Sequence, residues 1–167
     1  MLIGLLSDTH TTFDAPLRTF FADVDQIWHA GDFGCIETAD AIAAFKPLIG
    51  VYGNCDDHKV RLVYPLMQYF EIEQMKVLMT HIGGYPGYYD HKAHALITAH
   101  RPDIFICGHS HILRVMSDKK HHLFHINPGS AGIYGMHTLR TAVRFQINSG
   151  KISDFEVWEL ERESVNP

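Results

Sequence analysis

The sequence is short of the features that mark disulfide-held, membrane-spanning or nucleic-acid-binding chains. Its three cysteines, Cys35, Cys55 and Cys107, share no C-x-x-C spacing, which argues against a disulfide framework and a thiolate zinc site. Clustered positive charge is missing: 14 Lys and Arg face 19 Asp and Glu, and no basic run exceeds Lys119-Lys120. A dedicated nucleic-acid or anionic-membrane surface wants the opposite. No apolar run approaches the ~18 residues of a spanning helix. The opening stretch Met1–Asp8 has no basic n-region and meets an aspartate at once, so it does not read as a signal peptide and predicts a cytoplasmic chain. Neither a G-x-S-x-G elbow nor a P-loop glycine pattern occurs, which removes the serine-hydrolase and P-loop readings. Low-complexity segments and internal repeats are also missing. What remains is an ordinary soluble composition, 46% hydrophobic and 20% charged over 167 residues. It predicts a single domain over 1–167 with a sizeable core.

One abundance stands out. Thirteen residues are histidine, the commonest metal ligand and acid–base side chain. Five short apolar runs, Leu2–Leu6, Gln26–Ala30, Leu48–Tyr52, Lys76–Thr80 and Ile104–Cys107, fit buried strands. Helix-compatible segments lie among them at Phe13–Ala22, Ile36–Phe45 and Asp90–Ala99, the last with Asp90 as N-cap and Arg101-Pro102 as its stop. Such alternation predicts βαβ units and a largely parallel sheet. The last third, Ile112–Ser117, His121–Ile126, Leu139–Ile147 and Lys151–Glu159, reads as strands. These are expected to form a second sheet packed on the first. The predicted class is α/β, two mixed β-sheets packed as a sandwich flanked by helices.

Each apolar run ends in the same kind of residue. Asp8-Thr9-His10, Gly31-Asp32, Gly53-Asn54, His81 and Gly108-His109-Ser110-His111 follow the five runs in order. At the carboxyl edge of a parallel sheet such residues face a ligand. Singly, each Asp or Asn is a turn former or cap, and each His a packing residue. Seven nitrogen and oxygen donors at five successive strand ends are too many for one tetrahedral ion and suit two adjacent ions. In D-x-H and H-x-H, residues i and i+2 on extended chain point the same way.

These pieces in this order resemble the signature of calcineurin-like metallophosphoesterases. Length and the Asn127-Pro128-Gly129-Ser130 turn look most like the small YfcE-type phosphodiesterase branch. The resemblance covers nearly the whole chain and implies a β-sandwich flanked by helices. It also implies that Asp8, His10, Asp32 and His111 hold one divalent ion. Asp32, Asn54, His81 and His109 would hold the second, with Asp32 bridging and Asp32, Asn54 and His109 at the reacting centre. Donors of this kind suit Mn, Fe, Zn, Co or Ni. The implied reaction is phosphodiester hydrolysis by a hydroxide bridging the two ions. A phosphomonoesterase, a nucleotide pyrophosphatase and a non-catalytic scaffold like the Vps-type retromer subunit are the alternatives on the same fold. The implied partner is a small phosphoester, with self-association left open.

The pattern departs from many relatives at two positions. Cys55 stands where they carry the histidine that protonates the leaving group, and Gly83 replaces the second histidine of an H-x-H pair. Cys55 and His58 are therefore the candidates on the leaving-group side. His29 reads as a packed or supporting residue. His91, His94 and His100 read as one solvated helix face, and His121 and His122 as alternating on a strand. The Gly83–Tyr89 loop carries three tyrosines that either stack on an aromatic substrate group or pack on the body.

Overall fold

The computed structural model describes residues 1–135 and 137–162. In chain order the first elements are β1 (Leu2–Leu6), α1 (Ala15–Phe20), β2 (Gln26–His29), α2 (Ile36–Phe45), β3 (Leu48–Gly50) and α3 (His58–Val63). Next come β4 (Met67–Ile72), β5 (Met75–Thr80), β6 (Gly84–Tyr85), β7 (Tyr88–Tyr89) and α4 (His91–His100). The chain then forms β8 (Ile104–Ile106), β9 (Leu113–Asp118), β10 (Leu123–Pro128), β11 (Leu139–Asn148) and β12 (Lys151–Glu161).

Two five-stranded sheets have the orders β12-β11-β1-β2-β3 and β4-β5-β8-β10-β9, and β6-β7 form a small ribbon. Both large sheets are mixed: β1, β2 and β3 run parallel in one, β5, β8 and β10 in the other, and antiparallel strands complete each. The class is the one predicted, but the partition differs. The five predicted strands do not share one sheet, and the C-terminal hairpin β11-β12 joins β1 rather than building a second layer. Alternation explains why. Along β1, Leu5 faces the core between the sheets and Leu6 faces the outer helices. Along β5, Val77 and Met79 face inward while Leu78 packs against α4. A run buried on both faces looks the same in either sheet, so sheet membership was invisible.

Local chemistry sets the helix ends. Asp90 accepts from the Lys92 and Ala93 amides at the start of α4, and Arg101 closes it in the left-handed region at φ 46 before Pro102. α1 is shorter than predicted because Asp14, not Phe13, caps it, and Asp14 is held by both terminal nitrogens of Arg140 at 2.8 and 3.0 Å. His121 and His122 precede β10 in a turn, with His122 at φ 54, and do not alternate on a strand. His91 and His94 are exposed on α4, while His100 is half-buried with its ring 4.5 Å from Tyr69. Among the described residues no helix is long and apolar enough to cross a membrane.

Candidate metal centre

The carboxyl ends of β1, β2 and β3 in one sheet and β5 and β8 in the other meet at one edge of the sandwich. The loop after β1 is pinned to the loop after β2 by backbone hydrogen bonds, Asp8 N to Gly31 O at 2.9 Å and Thr11 N to Phe33 O at 2.8 Å. Glycine lets a third loop close in. A Cβ on Gly53 would land on the Asp32 carboxylate, so only glycine fits there.

Three overlapping groups of side chains form, each with its ligand atoms within 4.8 Å of one another: Asp8–His10–His111, His10–Asp32–Cys55 and Asp8–Asp32–His81. His111 Nε2 lies 3.1 Å from Asp8 Oδ1 and 3.4 Å from His10 Nε2. His81 Nε2 lies 3.3 Å from Asp32 Oδ2 and 3.0 Å from Asn54 Oδ1. Six of the seven sequence-selected donors thus converge. The seventh, His109, sets its ring edge-on to His81 at 5.3 Å and lies outside those three groups, while its amide donates to Asp8 Oδ2 at 3.1 Å.

These contacts are of a kind a cation resolves. The Ala30 carbonyl can only accept, so His81 Nδ1, 2.8 Å away, is the N–H, and Nε2 turns its lone pair toward oxygens. Asp8 Oδ1 is buried without a hydrogen-bond partner, which for a carboxylate oxygen is costly unless a cation faces it. The residues therefore fit a divalent metal, and their mixed imidazole and oxygen set suits the Mn to Zn series. Burial by itself would raise the Asp32 carboxyl, but the His81 hydrogen bond and charge and the Cys55 amide outweigh it, holding its pKa well below the usual carboxylate range. Burial lowers His81, and the hydrogen bond to Asp32 with the charges of Asp8 and Asp32 more than reverses it, so its pKa is raised in the metal-free protein.

Strain concentrates at the same place. Asp8, His10, Asp32, His109 and His111 all have positive φ, between 43 and 67. For side chains other than glycine this costs about 1–3 kcal/mol each and persists only where the surroundings over-determine it.

Several supporting residues were not legible in the sequence. Asp56, buried, accepts from the amides of Asp32 at 3.0 Å, Gly34 at 2.9 Å and Gly53 at 2.8 Å, tying two loops together with one carboxylate. Its neighbour Asp57 caps α3 instead, so the Asp56-Asp57 pair divides its work by direction alone. Ser7 Oγ donates to Asp8 Oδ2 at 2.6 Å, and Asn127 Nδ2 donates to Gly108 O at 2.8 Å. His29 is buried and stacks on Phe33. Its Nδ1 accepts from the Gly31 amide at 3.1 Å, leaving Nε2 as the donor to Thr9 Oγ1 at 2.9 Å.

On the leaving-group side, Cys55 is exposed and its thiol reaches His10 and Asp32, whereas His58 is exposed at the first turn of α3. Partial burial and the Asp32 charge push the Cys55 thiol up to about 11. Gly83 has a steric reason: a Cβ there would meet Cys107 Cβ at 2.5 Å. The tyrosines divide between the two readings. Tyr89 packs inward and donates to Asp118 Oδ2 at 2.8 Å, while Tyr85 and Tyr88 stay exposed.

Comparison with known proteins agrees with this geometry. The profile of the calcineurin-like phosphoesterase superfamily domain matches residues 1–150. A probable metallophosphoesterase of Methanothermobacter thermautotrophicus is 33% identical over 137 residues, 78% of this chain and 77% of that protein. Among solved structures, an archaeal phosphodiesterase superposes with TM-score 0.76 at 21% identity, covering 96% of this chain and 100% of that one. Vps29 of Chaetomium thermophilum superposes with TM-score 0.78 at 16% identity, covering 98% and 89%. By the profile match and the curated relative, this chain belongs to the calcineurin-like phosphoesterase superfamily.

Proposed function

We infer that the chain hydrolyses phosphodiesters at a centre of two divalent ions. The observation that carries this reading is the convergence of ligand atoms at one edge of the sandwich: Asp8 Oδ1 with the Nε2 atoms of His10 and His111, and His81 Nε2 with Asp32 Oδ2 and Asn54 Oδ1. Asp8, His10, Asp32 and His111 would hold one ion, and Asp32, Asn54, His81 and His109 the other. Two ions of the Mn, Fe, Zn, Co or Ni class, when bound, neutralise phosphoryl oxygens and bring the pKa of a water toward neutral. The protein holds the Asp32 carboxylate ionised, donates His81 Nδ1–H to Ala30, and keeps the strained loops in register through Asp56.

A second observation favours a diester over a monoester. Cavities open on both sides of the cluster. One of about 340 Å³ reaches His109, and one of about 430 Å³ reaches Asn54 and His81. A diester has an organic arm for each, whereas a monoester leaves one unused. The exposed thiol at position 55 also offers no ready proton donor, which favours leaving groups that need none.

The test compares bis-p-nitrophenyl phosphate with p-nitrophenyl phosphate on protein reconstituted with each metal in turn, alongside elemental analysis. Faster turnover of the diester with two ions per chain supports the reading. A faster monoester overturns the diester assignment. Absence of turnover in fully loaded protein favours a scaffold, the role in which the sequence resemblance places the Vps-type subunit.

A further inference from the structure

The cavity beside His109 lies between the β6-β7 ribbon and the loop after β8. At about 340 Å³ it falls within the roughly 300–1,000 Å³ span of small-molecule sites. Arg114 of β9 forms part of its wall. Five of the seven arginines, Arg18, Arg61, Arg140, Arg144 and Arg162, donate hydrogen bonds within the chain, and Arg101 is exposed to solvent. Arg114 differs from all of them. It is half-buried, yet among the described residues its guanidinium has neither a hydrogen-bond acceptor nor a carboxylate partner. A cation drawn out of water without a counter-charge is costly.

The geometry around it is fixed. The guanidinium lies 3.7 Å over the Tyr85 ring, and stacking by one face leaves its N–H edge free for a planar, bidentate acceptor. Across the β9-β10 ladder Arg114 stands opposite Asn127. Asn127 Nδ2 donates to Ser110 Oγ at 3.1 Å, and the Ile112 amide donates to the same oxygen at 3.3 Å. A hydroxyl has two lone pairs and one hydrogen, so Ser110, also in the wall, keeps its hydrogen to donate. The one carboxylate in the lining, Asp90, caps α4 by accepting from the Lys92 and Ala93 amides at 2.9 and 3.3 Å. His125 is buried against the Tyr89 and Phe105 rings, and burial, then the Arg114 charge, lowers its pKa to about 4 and holds it neutral. The cavity thus presents a held cation and a spare hydroxyl donor.

We propose that this cavity takes an arm of the phosphodiester that carries a second anionic group, a carboxylate or a phosphate, and that Arg114 with Ser110 binds that group. The phosphoryl group being cleaved has its own counter-charge in two divalent ions. A further cation without a protein partner fits a charge set apart from it. A neutral alkyl or aryl arm fills the space but leaves Arg114 unpaired, so Arg114 is the specificity-determining residue on this side of the cluster. The placement rests on the phosphoester reading for one point only, that the phosphoryl group sits at the cluster next to His109.

The test is calorimetric binding of three matched series to the metal-reconstituted full chain: alkyl phosphates, ω-carboxyalkyl phosphates and alkane bisphosphates of increasing chain length. The guanidinium ¹⁵N signal of Arg114 is followed in parallel. At the best length a phosphate with an anionic arm should bind about tenfold or more tighter than its alkyl match, the scale of charge-assisted hydrogen bonds. The tighter of the two armed series identifies the group as carboxylate or phosphate, and the Arg114 signal should shift with it. Arg114→Gln should bring matched ligands within about twofold of each other, whereas Arg114→Lys, which keeps the charge without the fork, should keep part of the gap. Equal affinities at every length, a gap that survives in Arg114→Gln, or an Arg114 signal that stays unmoved would overturn the assignment. Equal weakening of alkyl and armed phosphates by Arg114→Gln would overturn it as well, by placing Arg114 on the phosphoryl group being cleaved. If ω-carboxyalkyl phosphates bind no tighter than plain alkanoates while both shift Arg114, the anion site stands and the phosphoester reading fails.

Discussion

The two sheets contribute differently to the centre. The first sheet supplies both carboxylates, the amide and one imidazole, His10, from tight loops after β1, β2 and β3, with Asp8 and Asp32 buried. The second supplies imidazoles only, after β5 and β8, and of these His81 is buried while His109 is exposed. Negative charge is thus held rigidly on one side, where dense hydrogen bonding can carry its desolvation. The other side brings imidazoles of mixed burial, His81 inside and His109 at the surface, and lines the cavity beside His109. Packing of the sheets through core residues such as Leu5 and Val77 brings the two sides together, and the loops that cross the edge then set the geometry of the centre.

The strongest way to break this asymmetry is to remove the Asp32 charge, which two of the three groups share. Asp32→Asn keeps shape and deletes a negative charge between His10 and His81. Elemental analysis should show fewer ions per chain, with an activity loss greater than the roughly 10–100-fold typical of supporting residues. Unchanged stoichiometry would remove Asp32 from its bridging role.

Asp56 tests the rigid side without replacing a proposed ligand. Asp56→Ala strips three amides of their acceptor and should cost about 2–4 kcal/mol of folding stability in denaturant titrations. Metal affinity should fall with it by about 10–100-fold, whereas Asp57→Ala, which uncaps α3, should cost only about 1 kcal/mol and spare the metal. Equal effects on metal binding would mean that Asp56 is simply another cap.

His125 probes the second sheet through pH. Its pKa is lowered from 6.5 to about 4 in the fold, so below pH 6.5 the unfolded chain takes up a proton that the folded chain refuses. That lowers stability progressively as pH falls from about 6.5 to 4, and the loss is complete below the folded value. The difference in stability between wild type and His125→Phe should therefore change by on the order of 2 kcal/mol across that window, in metal-free protein. A difference that is flat with pH would show that His125 is not held neutral.

Much of this organisation was readable in the sequence, because the donors follow apolar runs and order along the chain survives folding. Strand ends carried Asp8, Asp32, Asn54, His81 and His109 to one edge whichever sheet each strand joined. Which sheet was not readable, since β1 and β5 are both buried on two faces. Asp56 was hidden because an Asp-Asp pair does not reveal which carboxylate turns inward. The left-handed turns at Asp8, His10 and Asp32 were hidden too, since they come from loop-to-loop hydrogen bonds and not from any local glycine. His125 sat unremarked inside a strand, and only the absence of a partner for its ring marks it.

The smallest expected effect belongs to Cys55, which lies on the boundary between the two sides. Its amide has a clear role, donating to Asp32 Oδ1 at 2.8 Å, and any residue but proline supplies that amide. Its thiol is another matter. In the metal-free protein partial burial and then the Asp32 charge push its pKa up to about 11, far from a value matched to proton transfer at neutral pH. A working general acid is worth on the order of 10²–10⁴ in rate. Cys55→Ala should therefore keep diesterase activity within about tenfold, a barrier change of about 1.4 kcal/mol or less. Cys55→His should raise turnover of diesters with poor leaving groups more than those with good ones, by placing a group with a pKa near 7 beside the cluster. Rates for both variants on one good and one poor leaving group, normalised to metal content, separate the cases. A loss of 100-fold or more in Cys55→Ala with its metal intact would place the thiol in the chemistry, and the boundary between the two sides would then be a catalytic one.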